Sequence, residues 1–425
     1  MRVAFFAFTV LLAACSPTLH FKKEISKAEK RLQNHIGFYL KDYQSKKILA
    51  DYRGDRYFTP ASNTKIFTFY TSLCLLGDSV PSIKYFYKSD SLIFEGLGDP
   101  SFLYPATYSN TRTFDFLSKH NGPLFFYSKN FKSEPYGPGW AWDDYNAYYS
   151  AERSAFPVYG NLISISQSNG SFKFFPSRFS STTVMSVDIH PEEEFIRDID
   201  SNELTYFPGK KSNTTWQIPF RTGDDLTSDL LSDTLHRNVD EYGGYFPSDA
   251  KILKSVPADS LYKTMMQDSD NFIAEQLLLQ CAAMLSDTLK TEIAIRHSLK
   301  NLLNDLPDQP IWVDGSGLSR YNLFTPRSIV ALWEKIYQKV PESRLLPLLA
   351  TGGKSGTIKN HYKAEKPFIF GKTGSLSNNH CLSGFLFTKK GHMFIFSFMN
   401  NNFVAPTREV REVMQSILKE AYEKY

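Results

Sequence analysis

Between the ends of this 425-residue chain there is no apolar run of roughly 18 residues, which leaves no candidate for an internal membrane-spanning helix. Charge of one sign is not in excess either. The 48 basic and 44 acidic residues leave a net +4, too mild a balance to suggest nucleic acid as a partner. Cysteine is scarce: Cys15, Cys74, Cys281 and Cys381 do not suggest a disulfide framework. No cluster of His, Cys and carboxylates has ligand spacing, so neither a metal nor an organic cofactor is expected. Internal repeats and low-complexity stretches are also missing. Aromatics, by contrast, are plentiful. The 35 Phe and 24 Tyr suggest much β-structure and exposed aromatic surface. At 42% apolar, the chain can fill one large core or two domains.

The N-terminus reads as a targeting segment. Arg2 precedes an apolar stretch, Val3 to Leu11, that is too short to span a bilayer. It ends on Leu12-Ala13-Ala14-Cys15, which resembles the bacterial lipoprotein signal. That resemblance implies cleavage before Cys15, a diacylglycerol on its thiol, and a mature protein held at the periplasmic side of a bacterial membrane. With Cys15 lipidated, Cys74 and Cys281 lie in apolar helical runs where a buried free thiol is expected.

After the predicted signal (1–14), residues 15–33 are polar and Lys-rich, a tether leading into a first helix. His35 to Leu40 and Lys47 to Tyr52 flank a polar turn and read as a β-hairpin. Ser62 to Leu76 has no breaker, and its apolar residues fall nearly all round a helix, which places it inside a domain. From about 83 to 245 the texture changes to short aromatic strands between Gly, Pro, Ser and Asn clusters. Helical texture returns over Ser260 to Leu285. A strand pair follows (Cys381 to Phe387, Met393 to Phe398), and then an amphipathic stripe from Val410 to Ala421. The expected architecture is α+β: a catalytic domain in two parts (34–82 and 246–425) interrupted by a β-rich insert. Two sequential domains would also fit this texture.

Three short motifs carry the chemistry. Ser-x-x-Lys occurs at Ser62 and recurs, at Ser248 and Ser260 among other places, so alone it says little. The Ser62 copy opens the buried helix, where Ser62 and Lys65 lie one turn apart and the first-turn N–H groups face any developing negative charge. A lysine on a desolvated helix face has a lowered pKa and can serve as a base. Ser269-Asp270-Asn271 opens a second helix, and Lys372-Thr373-Gly374 precedes the later hairpin. Each has a chance counterpart, at Ser128-Lys129-Asn130 and Arg221-Thr222-Gly223. The order of the three is what discriminates. A hydroxyl to attack, a lysine to take its proton and a Ser/Asn pair to relay it must surround one acyl carbon.

That order is the signature of penicillin-binding proteins and serine β-lactamases. Further segments narrow the resemblance: Gly96-Leu97-Gly98-Asp99-Pro100, Pro138-Gly139-Trp140, Gly160-Asn161, Asp314-Gly315-Ser316-Gly317-Leu318-Ser319-Arg320, Gly356-Thr357 and Leu382-Ser383-Gly384. The chain resembles the D-Ala-D-Ala carboxypeptidase/endopeptidase group with a large insert between the first two motifs, peptidase family S13. The resemblance implies a penicillin-binding-protein-like catalytic domain, an antiparallel sheet flanked by helices. It also implies action on peptidoglycan stem peptides and covalent inhibition by β-lactams. Ser62 would be acylated and Lys65 would deprotonate it. Ser269 and Asn271 would relay the proton and hold the substrate amide. Lys372 and Thr373 would bind the terminal carboxylate, Gly374 and Ser375 of the same strand would also bind substrate, and the N–H groups of Ser62 and Ser375 would form an oxyanion hole. Asp143, with Trp140 and Tyr148, would meet the stem-peptide side chain, Asp144 being its rival. Ser375 stands where the group often has Thr; only its backbone is required.

A β-lactamase of the common class would need Glu-x-x-x-Asn between the second and third motifs, and no Glu in that interval has Asn four residues later. The same motifs would also serve a transpeptidase, or persist in a catalytically silent wall-binding lipoprotein. Stem-peptide preference does not follow from these residues.

Overall fold

The computed structural model describes residues 17–107, 112–190, 194–208 and 215–425; the predicted signal segment and Cys15 lie outside them. The chain opens with helix α1 (Pro17–Leu32), hairpin β1 (His35–Asp42) and β2 (Ile48–Tyr52), and helix α2 (Lys65–Leu75). The next stretch holds β3 (Ser79–Lys88), β4 (Ser91–Gly96), α3 (Arg112–Ser118), β5 (Leu124–Tyr127), β6 (Leu162–Ser168) and β7 (Ser171–Phe175). It continues with β8 (Thr183–Met185), β9 (Phe195–Arg197), β10 (Leu204–Tyr206), β11 (Thr215–Pro219), α4 (Asp224–Leu235), β12 (Val239–Glu241) and β13 (Lys251–Pro257). Then follow α5 (Ala258–Gln267), α6 (Asn271–Leu285), α7 (Thr291–Asn301), α8 (Pro326–Lys339), α9 (Glu342–Leu345) and β14 (Ala350–Thr351). The chain closes with β15 (Ile369–Leu376), β16 (Asn379–Phe387), β17 (Met393–Asn401) and α10 (Thr407–Lys424).

Strands from both ends of the chain form one six-stranded sheet in the order β14-β15-β16-β17-β1-β2. Alternation decides what each face buries. On β17, Phe394, Phe396 and Phe398 join a cluster with Ile36, Phe38 and Leu40 of β1, under α1 and α10. Met393, Ile395 and Met399 point the other way, into the larger core with α2, α5, α6 and α8. The Lys-rich segment read as a tether leading into a first helix is helical from Pro17, because Phe21, Ile25, Ala28 and Leu32 recur on one face and are buried against the sheet. The helical texture of 260–285 proves to be two helices. They part at Asp268–Asp270, where Ser269 takes a left-handed φ of 64°. Asp270 then caps α6 by accepting the N–H of Ile273 at 2.8 Å.

Strands β3 to β13 make three further sheets, β12-β5-β4-β3-β13, β11-β6-β7 and β8-β10-β9, around a separate aromatic cluster. This block is an insert, and α6 is where it docks. Gln276 Nε2 donates to the carbonyls of Gly98 (3.0 Å) and Ser154 (2.9 Å), and Gln280 Nε2 to that of Pro81 (2.6 Å). Those buried amides are polar residues of a mostly apolar helix; each satisfies backbone groups that would be costly to bury unpaired. Gly96 belongs to the same junction, since a Cβ there would lie 2.2 Å from the carbonyl oxygen of Ala155.

Candidate active site

Ser62 sits in a short 3-10 turn, Ala61–Thr64, that leads into α2. The turn is held from below. Asn63 Nδ2 donates to the carbonyl of Lys372 (3.1 Å), and Asn63 Oδ1 accepts the Ser383 hydroxyl (2.6 Å). Ser383 in turn accepts the indole N–H of the buried Trp333 (2.9 Å). Strand β15 runs directly beside the turn: a Cβ on Gly374 would lie 2.5 Å from the carbonyl oxygen of Pro60 and 2.9 Å from the nitrogen of Ser62. Glycine in the third motif is therefore a condition of bringing the strand to the serine.

The three motifs converge. Lys65 Nζ donates to Ser62 Oγ (2.9 Å), Asn271 Oδ1 (2.6 Å) and the carbonyl of Ser316 (2.7 Å). Lys372 Nζ donates to Ser269 Oγ (2.8 Å) and to the carbonyl of Thr373 (2.8 Å). Asn271 Nδ2 reaches the carbonyl of Tyr149 in the insert at 3.0 Å. Burial pushes Lys65 down to about 8, against the opposing charges of Asp314, Glu275 and Asp270. Lys372 is driven well below its ordinary value, first by burial and then by the charge of Lys65. The arrangement thus couples a hydroxyl to an amine that can be neutral near physiological pH, with a second amine one hydroxyl away.

The carbonyl that accepts from Lys65 belongs to the Asp-Gly-Ser-Gly-Leu-Ser-Arg segment, and Asp314 fixes that loop. Its two oxygens accept the N–H groups of Gly317 (2.9 Å) and Ser319 (2.7 Å), Asn322 Nδ2 (2.7 Å) and the indole of Trp140 (3.0 Å). Gly317, at φ 85°, passes so close that a Cβ would meet the carbonyl oxygen of Ala61 at 2.0 Å. Behind the loop lies a buried pair that belongs to none of the motifs, Arg153 of the insert and Glu275 of α6, 3.4 Å apart. Glu275 also accepts the N–H of Ser316 at 2.7 Å. Its one mark in the sequence is a carboxylate four residues after Asn271, within a mostly apolar run.

Ser62, Ser269, Asn271 and Ser375 line a cleft of about 710 Å³. The insert supplies the opposite wall, including Asp143, Asp144, Tyr148 and Tyr149. Asp144 accepts the Tyr149 hydroxyl at 2.7 Å, whereas Asp143 makes no hydrogen bond among the described residues. Trp140, expected to face the cleft, is turned away from it. Its N–H is committed to Asp314 and its ring lies over Arg153, 5.7 Å from the guanidinium carbon. Trp142, two residues on, is the open tryptophan, 77% exposed. Thr373 donates to the Thr357 hydroxyl (2.7 Å), and Ser375 Oγ lies 2.8 Å from His380 Nδ1. The hydroxyls of Thr373 and Ser375 are thus oriented by neighbours outside the third motif.

The chance motifs do other work. Ser260 Oγ donates to the carbonyl of Pro257 (2.6 Å), Asn130 Nδ2 to that of Gly96 (2.7 Å), and the Thr222 hydroxyl to Glu152 (2.8 Å). The described cysteines, Cys74, Cys281 and Cys381, are free thiols. Burial pushes Cys281 and Cys381 up to about 12.

The chain is similar to known proteins along most of its length. A family model described as the D-Ala-D-Ala carboxypeptidase 3 (S13) family matches residues 22–184 and 230–421. The chain is 24% identical over 415 residues to D-alanyl-D-alanine carboxypeptidase DacB of Haemophilus influenzae, covering 85% of this chain and 84% of that protein. It is 22% identical over 424 residues to penicillin-sensitive carboxypeptidase A of Dictyostelium discoideum, covering 85% and 81%. The crystal structure of penicillin binding protein 4 from Haemophilus influenzae superposes with a TM-score of 0.77 at 20% identity, over 94% of this chain and 99% of that one.

Proposed function

The chain belongs to the D-Ala-D-Ala carboxypeptidase 3 (S13) family, and from that premise we propose that Ser62 is the residue it acylates with D-alanyl peptides. The enzyme is a serine-type D-Ala-D-Ala carboxypeptidase/endopeptidase acting on peptidoglycan stem peptides, with β-lactams as covalent inhibitors. The observation that carries the assignment of Ser62 is its 2.9 Å contact with a fully buried lysine. Ser62 Oγ attacks the carbonyl carbon of the penultimate D-Ala while Lys65 Nζ takes its proton. The tetrahedral oxyanion collects the N–H groups of Ser62 and Ser375. Ser269, bonded to Lys372, delivers a proton to the leaving nitrogen, and Asn271 holds the substrate amide. D-Alanine departs with that proton, and water then releases the acyl group from Ser62.

Thr373 and Ser375, with Lys372 behind them, take the carboxylate of the leaving residue. Asp143 suits an ammonium on the stem-peptide side chain, because Asp144 is already committed to Tyr149. The insert that supports this wall is assigned to residues 79–257, the span over which its strands pair only among themselves. The test uses penicillin and purified muropeptides. A penicilloyl adduct on Ser62 and release of D-Ala from pentapeptides are the expected results. Splitting of cross-linked dimers reports the endopeptidase share, and no adduct together with no product would refute the reading.

The protein is exported, and Leu12-Ala13-Ala14-Cys15 supports a lipid anchor on Cys15. The mature N-terminal peptide should carry the mass of a diacylglyceryl cysteine. An unmodified N-terminus beginning elsewhere would exclude the anchor.

A further inference from the structure

A second cavity, of about 580 Å³, lies over the insert sheet β11-β6-β7 and shares Tyr148 with the catalytic cleft. The short turn Tyr148–Ser150 packs against both β11 and α6, and its Tyr149 carbonyl is the one that accepts Asn271 Nδ2. The cavity therefore begins where the wall of the cleft ends. Strand register sets its floor. Alternation turns Ile165 and Trp216 toward the aromatic cluster of the insert. It leaves two rows of side chains on the other face: Phe175, Ser164 and Gln217, then Lys173, Ser166 and Thr215. Across three strands these rows make a patch about 10 Å wide. The hydroxyls of Ser164, Ser166 and Thr215, the Gln217 amide and the Lys173 ammonium have no hydrogen-bond or ion-pair partner among the described residues. Two rings border them. Phe175, 46% exposed, is held edge-to-face by the buried Tyr159 with centroids 4.4 Å apart, and Tyr148 is 62% exposed. Open rings beside uncommitted hydroxyl and amide groups match a ligand with an apolar C–H face and a rim of hydroxyls. A peptide main chain would seek the N–H and C=O groups of a strand edge, whereas a sheet face offers side chains only. No carboxylate among the described lining residues is present to hold a cationic side chain.

We propose that this cavity binds an N-acetylated amino-sugar unit of the glycan strand, the one to which the stem peptide in the cleft is attached. This rests on Ser62 being the acylated residue, since that places the leaving residue toward β15 and the rest of the donor peptide toward the insert wall. A peptide that continues past Tyr148 carries its sugar onto the sheet face. There the apolar side of the sugar ring lies on Phe175. Gln217 and Lys173 donate to its acetamido carbonyl, and the hydroxyls of Ser164, Ser166 and Thr215 meet its own. The enzyme thereby prefers stem peptides still joined to glycan over free peptides, although the bond it cuts is at the far end of the peptide.

The test is a binding measurement, so that it does not depend on turnover. In a Ser62→Ala background, calorimetry gives the Kd of a disaccharide-pentapeptide muropeptide and of the same pentapeptide without sugar. The muropeptide should bind about tenfold more tightly. Adding Phe175→Ala should remove most of that gain and leave the free pentapeptide unchanged. Ser166→Arg, a bulky side chain on an exposed position, should do the same by filling the cavity. Equal affinity of the two ligands in the Ser62→Ala protein overturns the proposal, and so does a gain that survives Ser166→Arg. If Phe175→Ala weakens both ligands alike, its ring serves the fold and the Ser166→Arg result decides. A cross-linked peptide dimer without sugar that gains as much, and loses it to Ser166→Arg, would make a second stem peptide the occupant and also overturn the proposal. If the sugar gain follows these residues while the wild-type protein releases no D-Ala, it is the assignment of Ser62 that fails.

Discussion

Replacing Ser62 with alanine is expected to bring both D-Ala release and the penicillin adduct to background, a loss of at least about 10⁴-fold. The side chain removed is one hydroxyl. It accepts a hydrogen bond from Lys65, which keeps two further acceptors, Asn271 Oδ1 and the Ser316 carbonyl. The turn around it is held by Asn63, Thr64 and Gly374 and does not depend on that oxygen. The variant should therefore fold, bind peptide and do no chemistry. The readouts are D-Ala release, intact mass after penicillin, and thermal denaturation in parallel. An adduct on the Ser62→Ala protein, at Ser248, Ser260 or elsewhere, would remove Ser62 from the centre of the mechanism.

Lys65→Met should slow acylation by about a thousandfold, with a pH signature that separates base from scaffold. Lys65 loses its proton at about 8, so the wild-type rate should rise about tenfold per pH unit below that value and level off above it. In the methionine variant the remaining slow rate should be flat through the same window. Stability gives an independent sign. Because the amine is held below its ordinary 10.5 in the fold, the unfolded chain binds more protons between about 8 and 10.5, and this residue makes stability rise with pH there. Below 8 the fold carries the full cost of a buried charge, which methionine does not impose. The variant should accordingly lose activity without a matching loss of thermal stability at pH 7. A comparable rate with the wild-type pH profile would show that another group is the base.

Ser62, Lys65, Ser269, Asn271 and Lys372 are readable from sequence because the chemistry demands particular side chains in a particular order, and the hairpins and α10 because burial imposes periods of two and three to four. Trp140 is different. Trp140 and Trp142 carry the same indole, and only the presence of Asp314 within 3.0 Å settles which one is structural. Arg153 stays silent in the sequence because its meaning depends on what faces it: it is buried against Glu275, and a lone arginine in a string of letters does not carry that fact. Lysines dominate the composition of 17–32 and mask its helical character, although Phe21, Ile25, Ala28 and Leu32 already mark the buried face.

Strand β1 lies between β2 and β17, with His35 opposite Asn401. The hairpin synthesised first must therefore wait, with one edge unpaired, for a strand made almost last. The three sheets of the insert close from strands made in the interval. Every strand of the insert is therefore synthesised before that seam can close, and contacts of such long sequence separation form slowly. Arrival of those last strands completes the sheet that the two parts of the catalytic domain share. A wall-cutting enzyme built in this way acquires its activity only when the whole polypeptide has arrived, so a truncated or stalled chain carries the serine but not the hydrolase.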